Sequence, residues 1–245
     1  MDLMYRKKSP KIFLSAFQKA LSYFPELHDT YIFIHEKSLF GVQHTLRAYP
    51  PFVVLHWKKQ NWVYPIVINK NKSKNLSFYD LNYIEQIGLL THELSHISKY
   101  ITYSRRDIAK FSFQYATNKD YVRKIEEDTD KKVIERGGGL YLLAGRLSWL
   151  KFRLQNVYKE TEDTYMLPDE FIDELKKFPN LYPNEVIENL VNNFEDLKKM
   201  PHYKLVVYGK ISLSRRIKHG LKTVFSFIPE FFQMLYLIPI KKVHK

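Results

Sequence analysis

An α+β fold is predicted by three features of the sequence. Between residues 31 and 69, short runs rich in β-branched and aromatic residues are separated by turn-like or charged stretches, the pattern of a small sheet. On both sides of that region apolar residues recur at intervals of three and four, as on amphipathic helices. A chain of 245 residues with 45% hydrophobic content can bury a substantial core beneath such elements.

Ser9-Pro10 reads as a helix start, a capping hydroxyl followed by proline at the first helical position. Ile12, Phe13, Phe17, Ala20, Leu21 and Phe24 then mark one apolar face, ending near Phe24-Pro25. Strands are expected at Tyr31–Glu36, Gln43–Tyr49, Phe52–Trp57 and Trp62–Asn69, the last two forming a hairpin. Pro65 predicts that the final strand lies at an edge or carries a bulge, because proline donates no ladder hydrogen bond. An edge strand matters because an extended peptide can add itself there as a further strand. His35, His44 and His56 read as ordinary strand or loop residues, and Asn69–Lys74 as a solvated connector.

Asp80 is expected to cap the next helix, which carries Thr91–Lys99. Ile84, Ile87, Leu94, Ile97 and Ile101 mark one buried stripe on it, and Leu81, Gly88, His92 and His96 another. Gly88 costs about 1 kcal/mol against alanine in a helix interior, which points to close backbone packing there, with room for substrate as the second reading. Lys99, Arg105 and Arg106 read as a solvated helix end. A second helix lies within Tyr121–Gly139 and is stopped by Gly137-Gly138-Gly139. Leu140–Tyr158 continues as a helix with Arg146, Lys151 and Arg153 on its wetter side. Leu167-Pro168-Asp169-Glu170 opens another helix within Thr164–Lys177, and residues 184–199 form the last amphipathic one.

The chemistry concentrates in T-H-E-L-S-H-I-S-K, where His92, Glu93 and His96 fit H-E-x-x-H. Residues four apart share a helix face, so both imidazoles can close on one zinc ion. Glu93, one step round, sits beside that ion without binding it and can take a proton from the water it activates. That is the pattern of a metal-assisted hydrolase, most often a peptidase. The bland alternative is a pair of surface histidines, so a third ligand is needed. Glu126 and Asp130 are again four apart on a helix. Glu126 would complete a two-His, one-carboxylate zinc site with an open fourth position. Asp130 would accept the outer N–H of an imidazole, expected to be His92, and fix its orientation. The alternative for Glu126, Glu127, Asp128 and Asp130 is a solvated acidic face. Tyr165 is a candidate phenol donor to an oxyanion, with no spacing rule behind it.

H-E-L-S-H followed by E-x-x-x-D resembles the gluzincin zinc metallopeptidases, and among them the small minigluzincins. The likeness extends to Phe24-Pro25-Glu26-Leu27 and to Val133-Ile134-Glu135-Arg136-Gly137, covering roughly residues 10–145. It implies a zincin-like arrangement: a small β-sheet packed on the H-E-x-x-H helix and a second E-x-x-x-D helix, beyond which a helical C-terminal extension is expected. It also implies His92, His96 and Glu126 as zinc ligands, Glu93 as general base and Asp130 as support for a ligand. Thr91 departs from the glycine of the nearest minigluzincins, and a small β-branched residue still fits a helix there.

The basic C-terminal segment is not explained by this likeness. Pro201–Lys245 holds nine Lys or Arg against the single Glu230, most of the formal net charge of +13. Its aromatic-aliphatic run Val224–Ile240 is too short, and too interrupted by Glu230, Gln233 and two prolines, for a spanning helix of about 20 residues. Packing on the catalytic domain, an interfacial membrane segment, and nucleic acid or an acidic partner are the readings it allows, in that order. No motif specific for nucleic acid is present. Residues 1–200 are therefore expected to form the metallopeptidase domain and 201–245 an extension. The absence of cysteine excludes disulfides and thiolate metal sites. Met1–Phe24 has no signal-peptide pattern, so a cytoplasmic location is expected, with the tail as a route to the membrane periphery. The expected function is a zinc-dependent metallopeptidase acting on a peptide or protein. Its rivals are a zinc hydrolase for a non-peptide amide or ester, and a catalytically silent zinc-binding module whose tail meets a membrane surface or acidic partner.

Overall fold

The structure, a computed structural model, describes residues 11–37, 45–51, 59, 62–70, 76–156, 165–201 and 203. The expected helix start at Ser9-Pro10, the strand Phe52–Trp57 with its hairpin, and the extension beyond Tyr203 lie outside those residues. The class is α+β, with a three-stranded sheet and seven helices among the described residues.

Helix α1 (Lys11–Leu21) buries Phe13, Ala16, Phe17, Ala20 and Leu21, the face anticipated from their spacing. A 3-10 turn, Pro25–Leu27, follows it. The sheet comprises β1 (Tyr31–Lys37), β2 (Leu46–Ala48) and β3 (Val63–Asn69), in the order β1-β3-β2. β1 runs parallel to β3 with Ile34 opposite Ile66, and β2 runs antiparallel to β3 with Ala48 opposite Ile66. The strand carrying Pro65 is therefore central, contrary to the expectation of an edge. The physical reason is local. The Pro65 carbonyl accepts from the Tyr49 amide at 2.9 Å, so the residue's missing N–H also faces the β2 side, opposite Tyr49. Tyr49 lies one residue past the end of β2 and is followed by Pro50 and Pro51, so the proline removes only the last rung.

Helix α2 (Tyr83–Tyr100) is the hub, packing against α1, β2 and two later helices, at Lys119–Glu135 and Gly139–Gln155. Its cap is Asn82 rather than Asp80, which closes a 3-10 turn at Phe78–Asp80. Asn82 accepts from the Glu85 amide at 3.0 Å, and Glu85 accepts from the Asn82 amide at 2.9 Å. This reciprocal capping box satisfies two of the helix's orphan donors. Ile87, Leu94 and Ile97 are fully buried as expected, whereas Ile84, in the first turn and short of the core, is 51% exposed.

A short helix not anticipated from the sequence, α3 (Arg105–Thr117), starts at a second capping box between Ser104 and Asp107. Helix α4 (Lys119–Glu135) ends at Gly137, whose φ of 87° is the left-handed conformation glycine tolerates. The Gly138 amide reaches the Val133 carbonyl and the Gly137 amide that of Ile134, both at 3.0 Å, as in a Schellman turn. Helix α5 (Gly139–Gln155) then returns along α2. A Cβ at Gly88 would lie 2.0 Å from the Tyr141 carbonyl oxygen, so the glycine is what lets these two backbones meet.

On α5 only Lys151 is exposed among the three basic residues assigned to a wet face. Arg146 turns in toward α4, and Arg153 is buried over the Trp149 ring at 4.5 Å. Helices α6 (Pro168–Leu175) and α7 (Asn184–Lys198) complete the described fold and pack on α5. No helix among the described residues is long and apolar enough to cross a membrane.

Candidate metal centre

The site forms where the middle of α2 crosses α4. α2 presents His92 and His96 from consecutive turns, and α4 answers with Glu126, Thr129 and Asp130, all five side chains being buried. The Ser95 hydroxyl donates to the Thr129 carbonyl at 3.2 Å and ties the helices at this level.

His92 Nε2 lies 3.0 Å from Glu126 Oε2 and 3.2 Å from His96 Nε2, and His96 Nε2 lies 3.4 Å from the same carboxylate oxygen. The outer ring nitrogens are spoken for. Asp130, an acceptor because it is paired with Arg146, lies 3.0 Å from His92 Nδ1, so that nitrogen carries a proton. Thr129 spends its hydroxyl proton on the Ile125 carbonyl at 2.7 Å, so at 3.3 Å from His96 Nδ1 it is the acceptor. Both Nε2 atoms are thereby left as lone pairs aimed at each other and at a carboxylate. Three acceptors in a buried space repel unless a cation lies among them. A tetrahedral centre with bonds of about 2.0–2.1 Å sets its donors about 3.3 Å apart, which matches the three separations. His92, His96 and Glu126 could thus hold a metal ion.

The same demand shows in proton affinities. Burial by itself would lower His92, but hydrogen bonds to Asp130 and Glu126 outweigh it and push the imidazole up to about 10. Burial raises Glu126, and the adjacent His96 and His92 more than reverse this, holding it well below the usual carboxylate range. Burial pushes the neighbouring Glu93 carboxyl up, against the pull of His92, His96 and the Ala48 amide.

Glu93 is fixed from the sheet. In β2 the amides of Arg47 and Tyr49 face β3, so that of Ala48 points outward, and it donates to Glu93 Oε2. A β-strand edge and a buried carboxylate therefore meet beside the candidate ligands.

All five residues singled out in the sequence come together: His92, Glu93, His96, Glu126 and Asp130. Four others went unnoticed. Arg146 donates through Nη2 to both Asp130 oxygens at 2.6 Å, which continues the chain from His92 through Asp130 into α5. Tyr115 on α3 donates to Glu126 Oε1 at 2.6 Å, fixing the oxygen that the histidines do not approach. Thr129 sets the His96 tautomer, and its place one residue before Asp130 in E-E-D-T-D was the only available signal. Arg47 lies over the Tyr115 ring at 5.3 Å. Tyr165 sits edge-on to the His92 ring at 5.8 Å, beneath the Arg146 guanidinium. His35 stacks on Phe33 and takes no part.

Comparison with known proteins finds no matching family model, no matching curated protein and no matching solved structure.

Proposed function

We propose that the chain is a zinc-dependent metallopeptidase with a zincin-like arrangement of its sheet and two metal-binding helices. The observation that carries this reading is the convergence of three lone-pair donors at tetrahedral spacing, with a fourth, non-ligating carboxylate and an outward strand edge beside them. His and carboxylate donors in a two-plus-one set suit zinc with an open position. When bound, the ion would supply a Lewis acid for a carbonyl and lower the pKa of a water to about 7.

The remaining steps belong to this chain's residues. Asp130, held by Arg146, keeps the proton on His92 Nδ1 so that Nε2 stays a donor to the metal. Tyr115 and the histidines restrain Glu126 in one rotamer. Glu93 receives the water's proton and returns it to the departing amine, a role favoured by a carboxyl raised through burial. The outward edge of β2 offers the main-chain groups that Glu93 does not take, and an extended peptide can lie along them. A cytoplasmic location, and contact of residues 201–245 with an anionic surface, belong to the same proposal.

Metal analysis of the purified full-length chain, paired with turnover of a peptide library, tests the reading. About one zinc per chain and cleavage abolished by a chelator are expected. A chain that binds zinc stoichiometrically and cleaves nothing would leave the silent binding module in its place.

A further inference from the structure

We infer that Arg47 is the carboxylate-recognition residue of this site, so that its substrates are peptides carrying a carboxylate close to the bond that is cut. The inference rests on the metallopeptidase reading and adds a substrate class to it.

Arg47 and Tyr49 are two apart on β2 and its extension, so they share one face of the sheet. The guanidinium lies 5.3 Å from the ring centroids of both Tyr49 and Tyr115. Tyr115 is the same residue whose hydroxyl holds Glu126, so one ring separates the guanidinium from a metal ligand. Stacking on aromatic faces holds an arginine through its π surface and leaves its in-plane N–H donors to other partners. Among the described residues, no hydrogen bond or ion pair to those donors is present. The cation is nonetheless partly buried, where unmatched charge is costly.

Charge matching in the pocket agrees. Arg146 is balanced by Asp130, and a divalent ion would be balanced by Glu126 and Glu93. Arg47 feels the Glu126 carboxylate beyond the Tyr115 ring, but among the described residues it makes no ion pair of its own. Among the described residues its planar fork of donors has no hydrogen-bonding partner, and such a fork is complementary to a carboxylate, which it can take in two parallel hydrogen bonds. Its contact with Tyr115, which holds Glu126, and its place next to Ala48, whose amide holds Glu93, put a bound carboxylate beside the candidate metal ligands. Either a free C-terminus or an Asp or Glu side chain next to the cut bond supplies that group.

The test uses the full-length, zinc-loaded protein and three probes whose thiol anchors on the metal: mercaptoacetyl-alanine, its C-terminal amide, and the α-amide of mercaptoacetyl-aspartate. Affinities come from calorimetry. At least one carboxylate probe should bind at least about fivefold more tightly than mercaptoacetyl-alaninamide. The tighter of the two identifies the source as chain terminus or side chain. In Arg47→Met the preference should collapse to within about twofold, and Arg47→Lys should keep part of it. A smaller preference in the natural protein, or one that Arg47→Met leaves intact, overturns the inference; the first comparison needs no variant to fold. An equal loss of all three probes in a folded Arg47→Met would show a positioning role and also overturn it. Failure of every probe to bind removes the metal centre and this inference together. A preserved preference without peptide cleavage removes only the peptidase reading.

Discussion

Two clusters join α2 to α4, and they are built on opposite logic. Near the C-terminal end of α2, Lys132 donates to the Ser98 hydroxyl at 2.7 Å, and Ser98 donates to Glu26. Arg136 closes the loop through Glu26 Oε2 at 2.8 Å and the Tyr23 carbonyl at 2.9 Å, stacked over the Phe24 ring. Each of these charges meets an opposite charge or a hydrogen-bond partner, and the cluster is half-exposed. Two turns earlier the His92, His96 and Glu126 cluster is buried, and its inner donors oppose one another. The first cluster holds the N-terminal turn to the two helices and is complete as it stands. The second could hold a metal ion because it is incomplete, which a count of charged residues alone would not distinguish.

Separating chemistry from scaffold should give the largest effect. Glu93→Gln is expected to keep zinc stoichiometry and melting temperature while lowering peptide turnover by about a hundredfold to ten-thousandfold. Loss of zinc in that variant would move Glu93 into the ligand set. Gly88→Ala attacks the α2–α5 contact that carries Arg146, and a methyl group 2.0 Å from a backbone oxygen should cost about 3 kcal/mol or more in denaturant unfolding. An unfolding midpoint like that of the natural chain would show that the helices separate freely.

Zinc addition should stabilise the natural chain, by about 2.7 kcal/mol at a hundredfold excess over its dissociation constant, and should do nothing for His92→Ala. A thermal-shift series with and without chelator reads this directly. Arg146→Met should leave the ligands in place and weaken zinc binding by about tenfold to a hundredfold, through a loosened Asp130. Unchanged affinity in competition with a chelator would sever α5 from the metal centre.

The smallest effect belongs to the complete cluster. Burial acts to raise the Glu26 carboxyl, but Arg136 and Ser98 overcome it and hold the group at about 2, below its ordinary 4.5. A carboxyl depressed on folding stabilises fully above pH 4.5, and that contribution is lost as pH falls toward 2. For so exposed a pair the gain is about 1 kcal/mol or less. Glu26→Gln should therefore be less stable at pH 7 by that amount and converge with the natural chain near pH 2. Parallel stability curves across that range would contradict the pairing.

How much of this was legible follows the range of each interaction. His92, Glu93 and His96 were visible because one helical turn sets their relation, and Glu126 with Asp130 for the same reason. The stop at Gly137 and the contact at Gly88 were visible because glycine's conformational character is local. The cap at Asn82 was missed although Asn82 and Glu85 carry the capping-box spacing, since Asp80 offered an equally good capping side chain two residues earlier. Pro65 misled because its missing donor matters only toward one neighbour, and β2 ends there. Arg47, Tyr115 and Arg146 carried little local signal: Tyr115 lies 68 positions from Arg47, Glu126 lies 11 from Tyr115, and Asp130 lies 16 from Arg146. Arg146 and Arg153 look like solvent-facing residues until Asp130 and Trp149 are in place beside them.

The phenol of Tyr182, between α6 and α7, accepts from the Gly139 amide at 3.0 Å and donates to the Ile134 carbonyl. It thereby plugs the joint between the helix carrying Glu126 and the helix carrying Arg146. Chain shortened at about residue 145 would keep the histidines and both carboxylates on paper, yet leave that joint with an unmatched amide and carbonyl and a hole the size of an aromatic ring. A piece able to form the proposed centre is therefore expected to extend past Tyr182, and a protease that trims the last two helices should loosen it without touching a candidate ligand.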